Sequence, residues 1–318
     1  MNRRALLGAA LASTALAAGC GSGRRAPLSS VTIAAGTPGG VYHELAKAFA
    51  IEIRGRWGIP AEVLATNESV DNVRLVAQGK ADIGFATVDI CDLALQSDSP
   101  FTGVMPIAAL AGLYEDYLQI VVSGSSQIAR VSDLATRRVS LGAEKSGTEF
   151  VAERILRTVG LEQGKISSPQ HLPADVAAIQ MLAGSLDAFF LLGGVPTPSV
   201  KDLADRMKVR LLSIPDEAVY VRDDYRQIYL LRSIPAGTYG MDSEISTIGV
   251  GNVIVIHKDA AEETAFRLTE LLLASKQGLG NAHPEALRLD PRSAVSTFKI
   301  PLHEGALRYY RSTKPFLG

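Results

Sequence analysis

The stretch Val31-Thr32-Ile33-Ala34-Ala35-Gly36-Thr37-Pro38-Gly39-Gly40-Val41-Tyr42 constrains the fold most, because it reads as a buried strand running through a glycine loop into a helix. The apolar run suits a strand covered on both faces, and Pro38-Gly39-Gly40 is strong punctuation. From Val41 onward Leu45, Ala48, Phe49 and Ile53 share one helix face. A helix that opens on glycines leaves free N–H groups and its positive dipole end at the carboxyl edge of the strand, which suits an anion. A tight strand-to-helix turn with no ligand has the same local pattern.

Strand and helix continue to alternate. Ala61 to Ala65 reads as a strand, Ser69 leads a helix with Val70, Val73, Val76 and Ala77 on one face, and Ala81 to Ala86 is the next strand. Thr87-Val88-Asp89 then opens another helix. Gly39-Gly40, Ser69 and Asp89 all lie at strand ends or helix starts, which converge on one crevice in an open parallel sheet. Ser69 and Asp89 serve equally as helix caps or as ligand contacts. Ile107 to Leu113 and Leu118 to Val122 read as two strands separated by Tyr114-Glu115-Asp116-Tyr117, the second leading into another lobe.

The layout then recurs. Val139-Ser140-Leu141 runs into Lys145-Ser146-Gly147-Thr148-Glu149, where Ser146 and Glu149 have capping-box spacing. Laying Val31-Thr32-Ile33 on Val139-Ser140-Leu141 puts Gly39 on Gly147 and Tyr42 on Phe150, and the stretch Gly79 to Phe85 matches Gly184 to Phe190. Two lobes of related plan follow. Gly193-Gly194-Val195-Pro196 is a turn cluster at the same crevice, and Tyr220 to Ile234 can hold a second crossing strand. Val250 to Ile256 is a further strand, Asp259-x-x-Glu262 starts a long helix, and Pro301 to Arg311 starts a last one.

The N-terminus differs from this body. Arg3-Arg4 precedes an apolar segment, Ala5 to Ala18, and Leu16-Ala17-Ala18-Gly19-Cys20 resembles a lipobox. Residues 1–19 therefore read as a signal peptide, Cys20 as the lipidation site and 20–30 as a tether; the paired arginines also resemble a twin-arginine signal. The body divides into lobe 1 (31–120 and 230–318) and lobe 2 (121–229). With only Cys91 left after Cys20, an internal disulfide is excluded. The near-neutral formal charge of −1 gives no nucleic-acid footprint.

Catalytic patterns do not fit. Gly142-Ala143-Glu144-Lys145-Ser146-Gly147-Thr148 is close to a phosphate loop but lacks Lys-Ser/Thr after its second glycine. No G-x-S-x-G elbow or His-Glu-x-x-His motif is present, and the five histidines are scattered and read as surface or capping residues. The expectation is no catalysis, no cofactor and no metal.

Several motifs in order carry a family resemblance: Gly36-x-x-Gly39-Gly40-Val41-Tyr42, Ser69-x-x-Asn72, Gly79-x-Ala81-Asp82-Ile83-Gly84-Phe85 with Asp89, and Asp133-Leu134. Ser146-Gly147-Thr148, Asp187-Ala188-Phe189-Phe190 with Gly193 and Pro196, the stretch Ile234 to Tyr239, Thr247, and Leu302-His303-x-Gly305-Ala306-x-x-Tyr309-Tyr310 complete the set. The chain resembles the TAXI family, solute receptors of one branch of the tripartite ATP-independent periplasmic (TRAP) transporters. The resemblance implies an α/β, type II periplasmic-binding-protein-like fold, two lobes with a hinge of crossing strands, holding a small organic acid or amino acid such as glutamate or a dicarboxylate. By carry-over, Gly39, Gly40, Val41, Tyr42, Ser69, Asn72, Thr87 and Asp89 line one wall, and Ser146, Gly147, Thr148, Gly193 and Pro196 the other. The chain departs from the family at Glu68, where glycine is usual, and at Thr87, where glutamine is common. Glu68 disfavours an anion beside it unless it points away or the ligand carries a cationic group.

The expected function is an exported, lipid-anchored receptor on the outer face of the cell membrane or in the periplasm, delivering its ligand to a TRAP permease. A ligand-sensing lipoprotein feeding a sensor kinase, and an anchored enzyme on the same fold, are the alternatives.

Overall fold

The computed structural model describes residues 28–162, 165–225 and 228–313. The leader, Arg3-Arg4, Cys20 and most of the tether lie outside these residues.

Lobe 1 opens with β1 (Val31–Gly36), α1 (Val41–Trp57), β2 (Ala61–Ala65), α2 (Ser69–Ala77), β3 (Ile83–Thr87) and α3 (Val88–Gln96). β4 (Ile107–Ser123) leads to β5 (Arg138–Ser140), α4 (Gly147–Thr158), β6 (Ser168–Gln170), α5 (Ala174–Leu182), β7 (Ala188–Gly193) and α6 (Pro198–Ala204). β8 (Val209–Leu211), α7 (Pro215–Asp224), β9 (Tyr229–Ile234), β10 (Ile245–His257), α8 (Glu262–Ala274) and a C-terminal helix, Glu304–Thr313, follow.

The strands form one mixed sheet, in the order β2-β1-β3-β10-β4-β7-β5-β6, with β8 beside β4 and β9 beside β10. Each half has a parallel trio, β2-β1-β3 and β6-β5-β7, closed by a long antiparallel strand, β10 on β3 and β4 on β7. The recurrence read in the sequence is thus present in space, with β1–α1 answering to β5–α4 and β3 to β7. The fold is the expected α/β, two-lobed binding-protein architecture.

The crossing strands are β4 and β10, and this changes two expectations. Tyr114-Glu115-Asp116-Tyr117 is not a break: it runs inside β4, where Asp116 pairs with Val250 and Tyr117 with Gly249. β10 offers partners to the backbone there, and the two-residue period sends neighbouring acids to opposite sides. Glu115 turns outward to the Arg232 guanidinium, which forks onto it at 2.7 and 2.8 Å; Asp116 turns inward and is 7% exposed. The return to lobe 1 falls inside β10 and not at residue 230, because β9 pairs with the first half of β10 and Ile234, Met241 and Ile245 pack with Val121 and Phe189 of lobe 2. The stretch Tyr220 to Ile234 splits between α7 and β9.

Three cores hold this frame. One packs α1, α8 and the C-terminal helix on lobe 1 through Leu45, Phe49, Leu268 and Tyr310. A second packs α5 and α6 on lobe 2 through Met181, Val200 and Leu203. The third runs through both lobes, joining Val70 and Val73 of α2 and Ile90 of α3 to Val151 and Ile155 of α4 and Val221 of α7. Cys91 is buried in it, where desolvation pushes the thiol up and leaves it unreactive.

Asn72 fixes α2 to the sheet. Fully buried, it donates to the carbonyls of Ala35 at 2.8 Å and Phe85 at 2.7 Å and accepts from the Thr66 hydroxyl at 2.6 Å. Removing such a group leaves buried partners unmet, at about 1–3 kcal/mol each. Asn72→Ala should lower stability by about 2–4 kcal/mol in denaturant unfolding; a loss below about 0.5 kcal/mol, the scale of an ordinary surface substitution, would contradict this role.

Candidate functional site

A cavity of about 440 Å³ lies between the lobes. Gly39, Gly40, Val41, Tyr42, Ser69 and Thr87 line it from lobe 1, and Ser146, Gly147, Thr148, Gly193 and Pro196 from lobe 2. Asn72 and Asp89, expected in the same wall, do not line it. Asn72 is committed to the backbone of β1 and β3, and Asp89 sits in a buried pair between the lobes.

That pair joins α3 to α4. Asp89, with no exposed surface, accepts from Arg154 Nη1 at 2.9 Å, from the Tyr229 hydroxyl at 2.8 Å and from the Ile90 N–H at 2.9 Å. The guanidinium also lies 4.4 Å from the Tyr225 ring centroid. A buried ion pair is costly to break by removing one partner, since the other charge stays desolvated. Asp89 therefore ties the lobes together and is unavailable to a ligand.

The local sequence explains the walls. Gly39 has φ +85, a left-handed value that bends the β1–α1 loop so that Gly40 can take the N-cap position of α1. On the facing lobe Ser146 caps α4, its hydroxyl accepting from the Glu149 N–H at 3.3 Å. The Glu149 carboxylate returns to the N–H of Lys145 instead of Ser146, so the capping box is displaced by one residue. A Cβ on Gly147 would lie 3.3 Å from Thr87 across the crevice, so glycine there allows the lobes to approach this closely. Ser69 is the first residue of α2 and not its cap; its hydroxyl accepts from the Thr87 N–H at 3.1 Å. The Thr148 hydroxyl accepts from the Leu192 N–H at 3.2 Å. The hydroxyls of Ser146 and Thr148 can each still donate their own proton to a ligand.

The floor is polar in ways the sequence reading missed. The Tyr42 hydroxyl, whose ring stacks on Phe85, donates to Asn252 Oδ1. Asn252 donates to Asp116 Oδ2 at 3.0 Å, which leaves Asp116 Oδ1 buried without a partner. The Thr87 hydroxyl is also buried and unpartnered. A carboxylate flanked by long apolar runs was the available signal for Asp116. Burial, with Glu285 and Glu68 nearby, pushes the Asp116 carboxyl up to about 7, against the opposing Asn252 hydrogen bond. Glu68, Tyr114, Asp175, Asp202 and His283 complete the titratable lining.

On lobe 2, Tyr239 accepts from the Thr197 N–H at 2.6 Å and donates to Gln119 at 2.8 Å, holding the loop that carries Gly193 and Pro196. A larger hollow, about 630 Å³, is lined by lobe 2 alone, between α4 and the β6 edge. Helix N-termini and unpartnered polar atoms converge in the interlobe cavity, which is the candidate site. Among the described residues no group of three or more metal-ligating side chains occurs, and no helix is long and apolar enough to cross a membrane.

Two α/β lobes on crossing strands around a polar cavity define a periplasmic-binding-protein-like fold, and solved structures share it. The periplasmic aliphatic sulphonate binding protein SsuA of Escherichia coli superposes with a TM-score of 0.51 at 14% identity, covering 91% of this chain and 84% of that one. PhnD1 of Prochlorococcus marinus, solved with methylphosphonate, gives 0.54 at 14% identity, over 81% of this chain and 89% of that one. A binding-protein component of an ABC phosphonate transporter from Pseudomonas aeruginosa gives 0.52 at 8%, over 80% and 78%. The chain belongs to the NMT1-like family, which matches residues 33–313. This assignment overturns the resemblance to TAXI receptors, whose short glycine and Asp-Ile-Gly-Phe motifs reflect the strand-loop-helix units of the shared fold.

Buried acids give the unliganded protein a pH signature. Asp116 is raised to about 7, and Glu68, Glu285 and Asp82 are raised by burial as well. An acid raised in the folded state ionises first in the unfolded chain, so its stabilising effect is full at low pH and is lost as pH rises through the folded value. Asp133 and Asp187, lowered by hydrogen bonds, act only at more acid pH. Stability should therefore fall between about pH 5 and 8, and Asp116→Asn should remove on the order of 2 kcal/mol of that fall. An identical slope in the variant would show that Asp116 ionises freely in the folded state.

Proposed function

We propose that the protein is an extracytoplasmic solute receptor that captures a small polar molecule between its lobes and delivers it to a membrane transporter. The observation that carries this reading is the interlobe cavity, drawn from both halves of a duplicated layout and ringed by helix N-termini. A volume of about 440 Å³ suits a metabolite-sized ligand. The leader ending at Cys20 supports export and lipid anchoring. The transporter we propose is an importer of the ABC kind, the assembly to which the Pseudomonas aeruginosa protein of similar fold belongs. The role is binding without turnover: the cavity hydroxyls of Ser69, Ser146 and Thr148 are tied to backbone amides, not to a general base.

Ligand contact would come from the amides and hydroxyls at the starts of α1 and α4, brought together by closure. A Cβ on Gly40 would lie 3.1 Å from the Thr37 carbonyl and one on Gly147 3.3 Å from Thr87, so a side chain at either position crowds these helix starts. Gly147→Val and Gly40→Val should each weaken a compound selected by thermal shift more than about tenfold, about 1.4 kcal/mol. Calorimetry on variants whose unliganded melting and circular dichroism match the wild type tests this. Unchanged affinity in both variants would place the ligand elsewhere.

A further inference from the structure

Glu68 stands immediately before α2 with φ 74 and ψ −150. That region of backbone space is essentially reserved for glycine, so another residue there is strained. What the strain achieves is visible in the side chain, which folds over the β1–α1 loop. The Thr37 N–H and hydroxyl donate to Oε1 at 3.3 and 3.1 Å. Gly36 makes room for it, since a Cβ there would meet Oε1 at 3.0 Å, and a Cβ on Gly40 would lie 3.8 Å from the same oxygen. The carboxylate thus fills the amide-lined corner at the start of α1, where an incoming anion would otherwise sit. Among the described residues no lysine, arginine or histidine forms an ion pair with it.

Asp116 lies in the same cavity with Oδ1 buried and unpartnered. Its other oxygen is held by Asn252, whose own acceptor is taken by the Tyr42 hydroxyl. Asp175 and Asp202 stand at the exposed margin, and no lysine or arginine is among the lining residues. The one nearby lysine in the α4 loop, Lys145, is exposed and pairs with Glu144 at 3.3 Å. Burial lowers His283, so it stays neutral near neutral pH and adds no positive charge. A half-buried carboxyl and a buried one, neither paired with a cation, favour a ligand that brings one.

We propose, resting on the reading of this cavity as the ligand site, that the protein selects ligands bearing a protonated nitrogen, which Glu68 and Asp116 hold between them. Dianions such as phosphonates are refused by the same pair. The ligand's acceptor end is left to the N-terminus of α4 beside Gly147 and Thr148, where the Glu149 carboxylate is turned away to the Lys145 N–H. The anion site expected at α1 is in this chain occupied from within, and the crevice has the opposite preference at its lobe 1 end.

The test is a matched binding panel on the purified protein at about pH 8, where Asp116 is ionised. Putrescine, 4-aminobutyrate and lysine form the amine arm; methylphosphonate, ethanesulfonate and glutarate form the anion arm. At least one amine should raise the melting temperature and none of the anions should. Glu68→Gln and Asp116→Asn should each weaken that amine about tenfold or more. Glu68→Gly, which relieves the backbone strain, keeps the test clear of misfolding: it should melt at or above the wild type unliganded and still lose amine binding. Stabilisation by anions and not by amines overturns the charge assignment and leaves the receptor reading standing. Stabilisation by neither arm overturns both. Amine binding that survives all three substitutions overturns the role of Glu68 and Asp116.

Discussion

The antiparallel ladder between β4 and β10 is the constraint on which the rest depends. Both strands pass from one lobe to the other, and each closes the parallel trio of one lobe. The ladder also carries the floor of the crevice: Asp116 comes from β4 and Asn252 from β10, joined by a 3.0 Å hydrogen bond. Beside them the core formed by α2, α3, α4 and α7 is continuous through both lobes and contains the Asp89–Arg154 pair. Separating the lobes on that side would expose packed apolar surface and a desolvated ion pair.

Two electrostatic tendencies meet in the cavity. Helix N-termini converge on it from α1, α4, α5 and α6, and each favours negative charge within about one turn. The chain answers some of these itself, with Glu68 over the α1 loop and Asp175 in the first turn of α5. At the start of α4 the acid is Glu149, which turns to the Lys145 N–H and is not among the residues lining the cavity. A site built this way is dipolar along the line between the lobes, and a ligand with opposite ends can reward closure by touching both halves.

Much of the frame was legible because its signals are local. Strand, glycine loop and helix start recur at β1–α1 and β5–α4, and the residues of those loops line the cavity. Three features escaped for physical reasons. Asp116 looked like part of a turn because acids are rare inside buried strands, and only the pairing with β10 shows where it goes. Asp89 has the identity of a cap or ligand contact, whereas its partner, Arg154, is distant in sequence and set by tertiary packing. The lobe boundary was misplaced by the β-rich stretch before Ile234, whose partner strand lies further along the chain. The TAXI resemblance failed differently, resting on short motifs that the shared strand-loop-helix units generate in related binding proteins.

Hydrogen exchange of the backbone amides, with and without a compound that raises the melting temperature, tests the central claim most directly, since the claim is that both lobes close on one ligand. Bound compound should slow exchange together in the 37–42 loop, around Thr87, across 146–148 and in the 193–197 loop. Protection confined to one lobe, or located at the lobe 2 hollow near Arg157 and His171, would contradict it.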